Sequence, residues 1–166
     1  MKAVILAAGM GNRLKEVSEG LPKSMIKIGK SSIIHHQLES CMNVGIKNFV
    51  IVLGYKYEQL KAHILEKISS DQVTFIENSI FATTNTLHSL WLTREYLDED
   101  FIYFNADVLF QSGLLKKISE PSEYSQLLLE TKSCAEEEVK MIIDEDMRIL
   151  EISKTLHIPN CAGEFI

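Results

Sequence analysis

Short apolar runs alternate along the chain with stretches of helical period. Residues 3–6, 49–53, 73–76 and 101–104 are runs of strand length, as expected of strands covered on both faces. Between the first two, Ile33, Ile34, Leu38, Cys41, Met42 and Val44 recur at helical spacing after Ser31 and Ser32, which can cap a helix start, and Gly45 supplies a stop. Tyr57, Leu60, Ile64, Leu65 and Ile68 predict a second helix. Leu87, Leu90, Trp91 and Leu97 predict a third over 86–96, with Trp91 and the helically spaced methionines in the core. After a short helix over 112–119 the pattern changes: 126–130, 139–143 and 148–152 read as antiparallel strands, with a turn at Asp144-Glu145-Asp146. The alternation predicts a three-layer α/β/α arrangement, a mainly parallel sheet with an antiparallel C-terminal hairpin, and ligands at the carboxyl ends of the parallel strands. Gly9 to Arg13, Gly54 and Asn105 to Asp107 all fall at such ends.

Composition narrows the class. A length of 166 residues with 46% hydrophobic content suits one domain over 1–166. No apolar run is long enough to cross a bilayer, and the N-terminus enters a strand without a secretory pattern, so a soluble cytoplasmic protein with no membrane partner is expected. A net charge of −6 argues against nucleic acid but is compatible with a small anion held by a local cluster. Cys41, Cys134 and Cys161 form neither a disulfide framework nor a zinc spacing, so ordinary reduced thiols are expected. His35 and His36 point apart on a helix, and His63, His88 and His157 lack matching partners, so no histidine is assigned.

The densest chemistry follows the first strand. Leu6-Ala7-Ala8-Gly9-Met10-Gly11-Asn12-Arg13-Leu14 places small residues and alternate glycines where the backbone can turn tightly and meet a ligand. Arg13 and then Pro22-Lys23 add a planar cationic fork and a movable point charge, which suit a triphosphate. A dinucleotide fingerprint is excluded, because Leu14 occupies the third glycine position and the next strand ends at Leu53-Gly54-Tyr55 without the acidic residue that would hold a ribose. A P-loop is excluded by its missing spacing and Lys-Ser or Lys-Thr pair.

These residues, with Ser24-Met25, Gly54-Tyr55, Thr84-Asn85-Thr86, Ser89-Leu90 and Asn105-Ala106-Asp107, resemble the sugar-nucleotide pyrophosphorylase and cytidylyltransferase superfamily. The asparagine segment with its Ser-Leu, and Ala-Asp where many relatives have Gly-Asp, look most like the phosphocholine and phosphonate cytidylyltransferase branch. The resemblance implies a Rossmann-like fold of the nucleotide-diphospho-sugar transferase type. It also implies transfer of a nucleoside monophosphate, first of all CMP from CTP, to a small phosphorylated or phosphonylated acceptor with release of pyrophosphate. A sugar 1-phosphate with UTP, dTTP or GTP is the alternative within the class. Relatives continue beyond the segment resembling 162–166, so the chain is expected to be naturally short or truncated there, and a non-catalytic nucleotide-binding module is a third reading. Self-association is left open.

Such chemistry asks for alignment and charge neutralisation, without a covalent nucleophile. Leu6, Ala7, Ala8, Gly9, Gly11 and Arg13 are expected to wrap the triphosphate, and Lys23 to neutralise charge on the α-phosphate and leaving pyrophosphate. Asp107 is the expected Mg2+ ligand, although an Asp at a strand end can also cap a helix. The resemblance implies a second metal-binding acid from the C-terminal part, and no residue matches it. Asn85 stands first for nucleotide contacts, with Asn78 and Thr84 nearby, and is equally placed to cap the next helix. Ser89, Lys154 and Glu164 are the acceptor-side candidates, with Lys154 also readable as a surface lysine.

Overall fold

The computed structural model describes residues 1–11, 20–131, 134–135, 138–157 and 161–165. They divide into two compact units, Met1–Ser119 and Glu120–Ile166. Along the first run β1 (Lys2–Ala7), a small hairpin of β2 (Lys27–Ile28) and β3 (Ser31–Ser32), α1 (Ile33–Asn43), β4 (Phe49–Leu53), α2 (Tyr57–Leu65), β5 (Val73–Glu77), α3 (Thr86–Leu92), β6 (Phe101–Asn105) and α4 (Ser112–Ile118). Four strands form a parallel sheet of order β5-β4-β1-β6.

The apolar runs of the central strands β1 and β4 are buried because both faces are covered, whereas the edge strands β5 and β6 are half-buried. In β1, Ala3, Ile5 and Ala7 pack with Ile34 and Leu38 of α1 and Leu60 and Ile64 of α2. Val4 and Leu6 point the other way, joining Val50, Val52 and the α3 residues Leu90 and Leu92. Each Val, Leu or Ile side chain among them contributes about 1.5–3 kcal/mol when fully buried. The register Leu6↔Val52 and Leu6↔Asn105 sets the carboxyl ends of β4, β1 and β6 side by side.

Local chemistry sets the helix ends. The Ser32 hydroxyl accepts from the His35 N–H at the start of α1. At its end Gly45, with φ +88°, turns the chain so that its N–H reaches Met42 O and that of Ile46 reaches Cys41 O, a Schellman closure that the left-handed conformation makes possible. A joint between α1 and α2 was not foreseen from the sequence. His35 stacks on His63 with centroids 4.0 Å apart, His63 Nε2 meets Ser32 Oγ at 2.8 Å, and Glu66 lies 3.0 Å from His63 Nδ1. These groups can approach one another as metal ligands do, but the rings lie only 18° from parallel. Their in-plane lone pairs therefore do not converge on one ion.

The third helix corrects an expectation. It ends at Leu92 and gives way to a 3-10 turn over Arg94–Tyr96, where the Thr93 hydroxyl bonds back to Leu90 O at 2.7 Å. Its buried side carries Ser89, while Trp91 is 54% exposed and Leu87 71%. Trp91 is therefore not core: the Arg94 guanidinium lies over its ring at 3.7 Å, and His88 stacks beside it.

The second unit is an antiparallel sheet of order β7-β10-β8-β9, built from β7 (Leu129–Glu130), β8 (Lys140–Ile143), β9 (Ile149–Ser153) and β10 (Gly163–Phe165). The β8–β9 hairpin turns at Asp144, whose carboxylate accepts from the N–H groups of Asp146 and Arg148. The strand expected over 126–130 is confined to its last two residues. Gly163 is required by packing, since a Cβ there would strike Glu130 O and the Leu129 side chain. Among the described residues no helix is long and apolar enough to cross a membrane.

Candidate functional site

The carboxyl ends of β1 and β6 and the segment after β5 bound a cleft of about 340 Å³ within the first unit. Backbone bonds hold its wall: Tyr55 N–H donates to Ala8 O and Ala106 N–H to Leu6 O, both at 3.0 Å. A Cβ on Gly54 would lie 2.8 Å from Ala8 O and from Phe81 Cβ, so the glycine lets the loop after β1 settle against the end of β4. Leu6, Ala7, Ala8, Gly9 and Gly11 line the cleft. A Cβ on Gly9 would meet nothing within 4 Å, so the backbone there borders open space.

Gly11 has a different task. With φ +66° it holds a conformation that favours glycine, and a Cβ would collide with the Lys23 side chain, with Cε at 2.8 Å. Lys23 enters from a 3-10 turn over Lys23–Met25 that follows Pro22, and its stem lies across the missing side chain. Its Nζ donates to Asp107 Oδ2 at 3.1 Å. The sequence-predicted cation and carboxylate, distant along the chain, thus meet at the cleft.

The turn bearing Asp107 is secured from below by a residue that sequence reasoning missed. Gln37 of α1 is 1% exposed, and its Nε2 donates to the carbonyls of Asn105 at 2.9 Å and Val108 at 2.6 Å. Its signal was a lone polar position on the buried stripe of Ile33, Ile34, Leu38 and Cys41.

On the opposite wall Asn78, Thr84, Asn85 and Ser89 line the cleft. Asn78 Nδ2 donates to Thr84 Oγ1 at 3.0 Å and Ser89 Oγ at 3.2 Å. Its Oδ1 is buried and has no hydrogen-bond partner among the described residues. Asn85 caps α3, its side-chain oxygen accepting from His88 N–H at 3.1 Å, and this leaves the amide NH2 to donate elsewhere. Arg13 lies outside the described residues. Lys154 and Glu164 belong to the second unit: Lys154 is exposed just after β9, its carbonyl accepting from Lys140 Nζ at 2.6 Å, and Glu164 in β10 pairs along the backbone with Glu130 of β7 and Lys140 of β8.

The nucleotidyl transferase family model matches residues 2–140. CMP-5'-(3-aminopropyl)phosphonate synthase of Streptomyces rubellomurinus is 32% identical over 125 residues, which are 75% of this chain and 20% of that protein. Choline-phosphate cytidylyltransferase of Streptococcus pneumoniae is 30% identical over 125 residues, 75% of this chain and 53% of the relative. The solved structure of the inositol-1-phosphate CTP transferase from T. maritima superposes with a TM-score of 0.80 at 26% identity, covering 98% of this chain and 68% of that one. The chain spans about half, or less, of the length of the first two. The resemblance carried by the sequence motifs agrees with these matches in superfamily and in branch.

Proposed function

The chain belongs to the nucleotidyl transferase family, and on that premise we propose that it transfers a nucleoside monophosphate, CMP from CTP, to a small phosphorylated or phosphonylated acceptor and releases pyrophosphate. The observation that carries this reading is the meeting of Lys23 and Asp107 at the mouth of a glycine-walled cleft. An acceptor oxygen attacks the α-phosphorus, forming the new P–O bond as the bond to the bridging oxygen breaks, and pyrophosphate leaves with that electron pair.

Each residue has a task in that reaction. The backbone from Ala8 to Gly11 takes the phosphates, and the open space at Gly9 admits them. Lys23, held across Gly11, places its ammonium against the charge that accumulates on the α-phosphate and the departing group. Arg13 is assigned to the triphosphate on the sequence motif. Asn78 Oδ1, a buried acceptor without a partner among the described residues, suits a donor from the nucleotide such as an exocyclic amine or a ribose hydroxyl. Asn85 offers its amide NH2 to the same ligand, and Ser89 is proposed for the acceptor side. Lys154 and Glu164 are proposed for the acceptor on sequence likeness.

The donor set fits a divalent cation of the magnesium type. Asp107 is the one carboxylate among the described residues that line the cleft, its side chain is 42% exposed, and one hard carboxylate plus substrate phosphates commonly suffices. Asp107, with the substrate phosphates, would hold such an ion, which would supply charge neutralisation at the reacting phosphorus. The choice of CTP follows the names of the three similar proteins given above, a CMP-phosphonate synthase, a choline-phosphate cytidylyltransferase and an inositol-1-phosphate CTP transferase.

The test is pyrophosphate release from the purified chain with Mg2+, each common nucleoside triphosphate, and a panel of phosphocholine, aminoalkylphosphonates and sugar 1-phosphates. Release is expected with CTP and a phosphocholine-like or phosphonate acceptor, and its loss in Asp107→Ala. Release with a sugar 1-phosphate and another triphosphate moves the chain to the sugar-nucleotide reading. Triphosphate binding without release under any pairing leaves it a nucleotide-binding module.

A further inference from the structure

The second unit brings together two cysteines whose sequence spacing gives no hint of contact. Cys134 follows β7 and Cys161 precedes β10, and their Sγ atoms lie 3.0 Å apart. In the β7–β10 ladder Glu130 pairs with Glu164 and Leu129 with Phe165, so the two segments leave the ladder at the same end. The backbone near Cys161 is fixed, because Ala162 N–H donates to Met141 O at 2.8 Å and Gly163 lies against Glu130 O. Exposure differs between the pair: Cys134 is 7% exposed, whereas Cys161 is half-buried.

We propose that Cys134 and Cys161 form a site of reversible thiol–disulfide modification, taking a low-molecular-weight disulfide as oxidant and fastening β10 to β7. The more accessible Cys161 thiolate attacks one sulfur of the small disulfide, whose S–S bond breaks to release one small thiol and leave a mixed disulfide on Cys161. The Cys134 thiolate then attacks the Cys161 sulfur and expels the second small thiol. The two protein protons end on the two leaving thiolates, and the two electrons lost by the cysteines reduce the small disulfide. The product closes a loop that contains the β8–β9 hairpin, restricting the unfolded chain and the end of β10 together. Cys41 is the internal control: it is fully buried in the first unit, and burial pushes its thiol up to about 12, so it stays protonated and inert. The proposal is independent of the nucleotidyl-transfer reading.

The reduced full chain is equilibrated in glutathione buffers of increasing oxidised fraction, acid-quenched, alkylated and mapped by mass spectrometry of its peptides, beside thermal unfolding of the same samples. The expected result is an intramolecular Cys134–Cys161 linkage that dithiothreitol reverses, an alkylated Cys41, and an unfolding midpoint raised by about 5 °C or more. Cys161→Ser and Cys134→Ala should each lose the linkage and the rise. Mapping of the unmodified chain keeps the test valid if either variant folds poorly. Unreacted thiols in excess oxidised glutathione, a persistent glutathione adduct on Cys161, a linkage between chains, or a linkage without the rise would overturn the proposal.

Discussion

Gly9 and Gly11 differ in backbone conformation and in what stands where a side chain would be. The collision at Gly11 is with the Lys23 stem, so Gly11→Ala must push the ammonium away from the cleft or strain a left-handed backbone. It should lower kcat/KM for pyrophosphate release by about 100-fold, the scale of a misplaced charge near the reacting group. Gly9→Ala meets nothing in the protein and should leave stability within about 0.5 kcal/mol. It should weaken triphosphate binding by calorimetry, because the methyl occupies the ligand's space. Equal effects of the two substitutions on stability and binding would refute this division. Gln37 acts at one remove, holding the carbonyls of Asn105 and Val108 on either side of Asp107. Gln37→Leu removes the side-chain donor from both carbonyls, and although Asn105 O keeps the Val108 N–H, the loss should cost about 1–3 kcal/mol in denaturant unfolding. As a positioning change it should also raise the Mg2+ concentration for half-maximal activity by about tenfold, the usual effect of losing a group that supports a metal ligand. A merely structural role would leave the Mg2+ dependence unmoved.

Between elements, the α1–α2 joint carries a pH dependence. Burial, helped by the neighbouring His35 and Lys27 and opposed by Glu66, holds His63 below its ordinary value of 6.5. As pH falls through about 6.5 the unfolded chain takes up this proton first, so stability present above that pH declines below it. The loss levels off once folded His63 also protonates, and within the window it cannot exceed about 1.4 kcal/mol per pH unit. Urea unfolding at pH 7.5 and 5.5 should show a larger loss in the parent chain than in His63→Gln, and equal losses would exclude His63. The joint was illegible in the sequence because its residues are 28 positions apart and meet only once the helices pack. The parallel strands were legible, since apolar runs of strand length separated by helical patterns pair into a covered sheet, most completely in the central β1 and β4. So were the Ser32 and Gly45 helix ends, whose chemistry is local. Trp91 was misread because a periodic stripe marks an apolar side without saying whether the sheet covers it. In α3 the sheet takes the side of Ser89 and Leu90 instead. The glycines, Lys23 and Asp107 could be picked out by type and strand-end position, whereas their contact and the support from Gln37 are products of folding.

For the molecule as a whole, the cleft residues so far described all lie within Met1–Ser119. Hydrogen exchange of the full chain should therefore show CTP protecting amides of residues 7–11, 85–89 and 105–107, with little change in the β8–β9 hairpin. Protection centred on that hairpin would place the nucleotide elsewhere. The exposed Trp91 gives a way to watch the same event. It is the chain's only tryptophan, it shares α3 with Ser89 in the cleft wall, and Asn85 caps that helix. With a guanidinium over one face and an imidazole stacked beside it, its indole is a built-in optical probe. A nucleotide that draws on Asn85 alters the helix start, and the emission of the unlabelled protein becomes a binding signal that can be followed in real time.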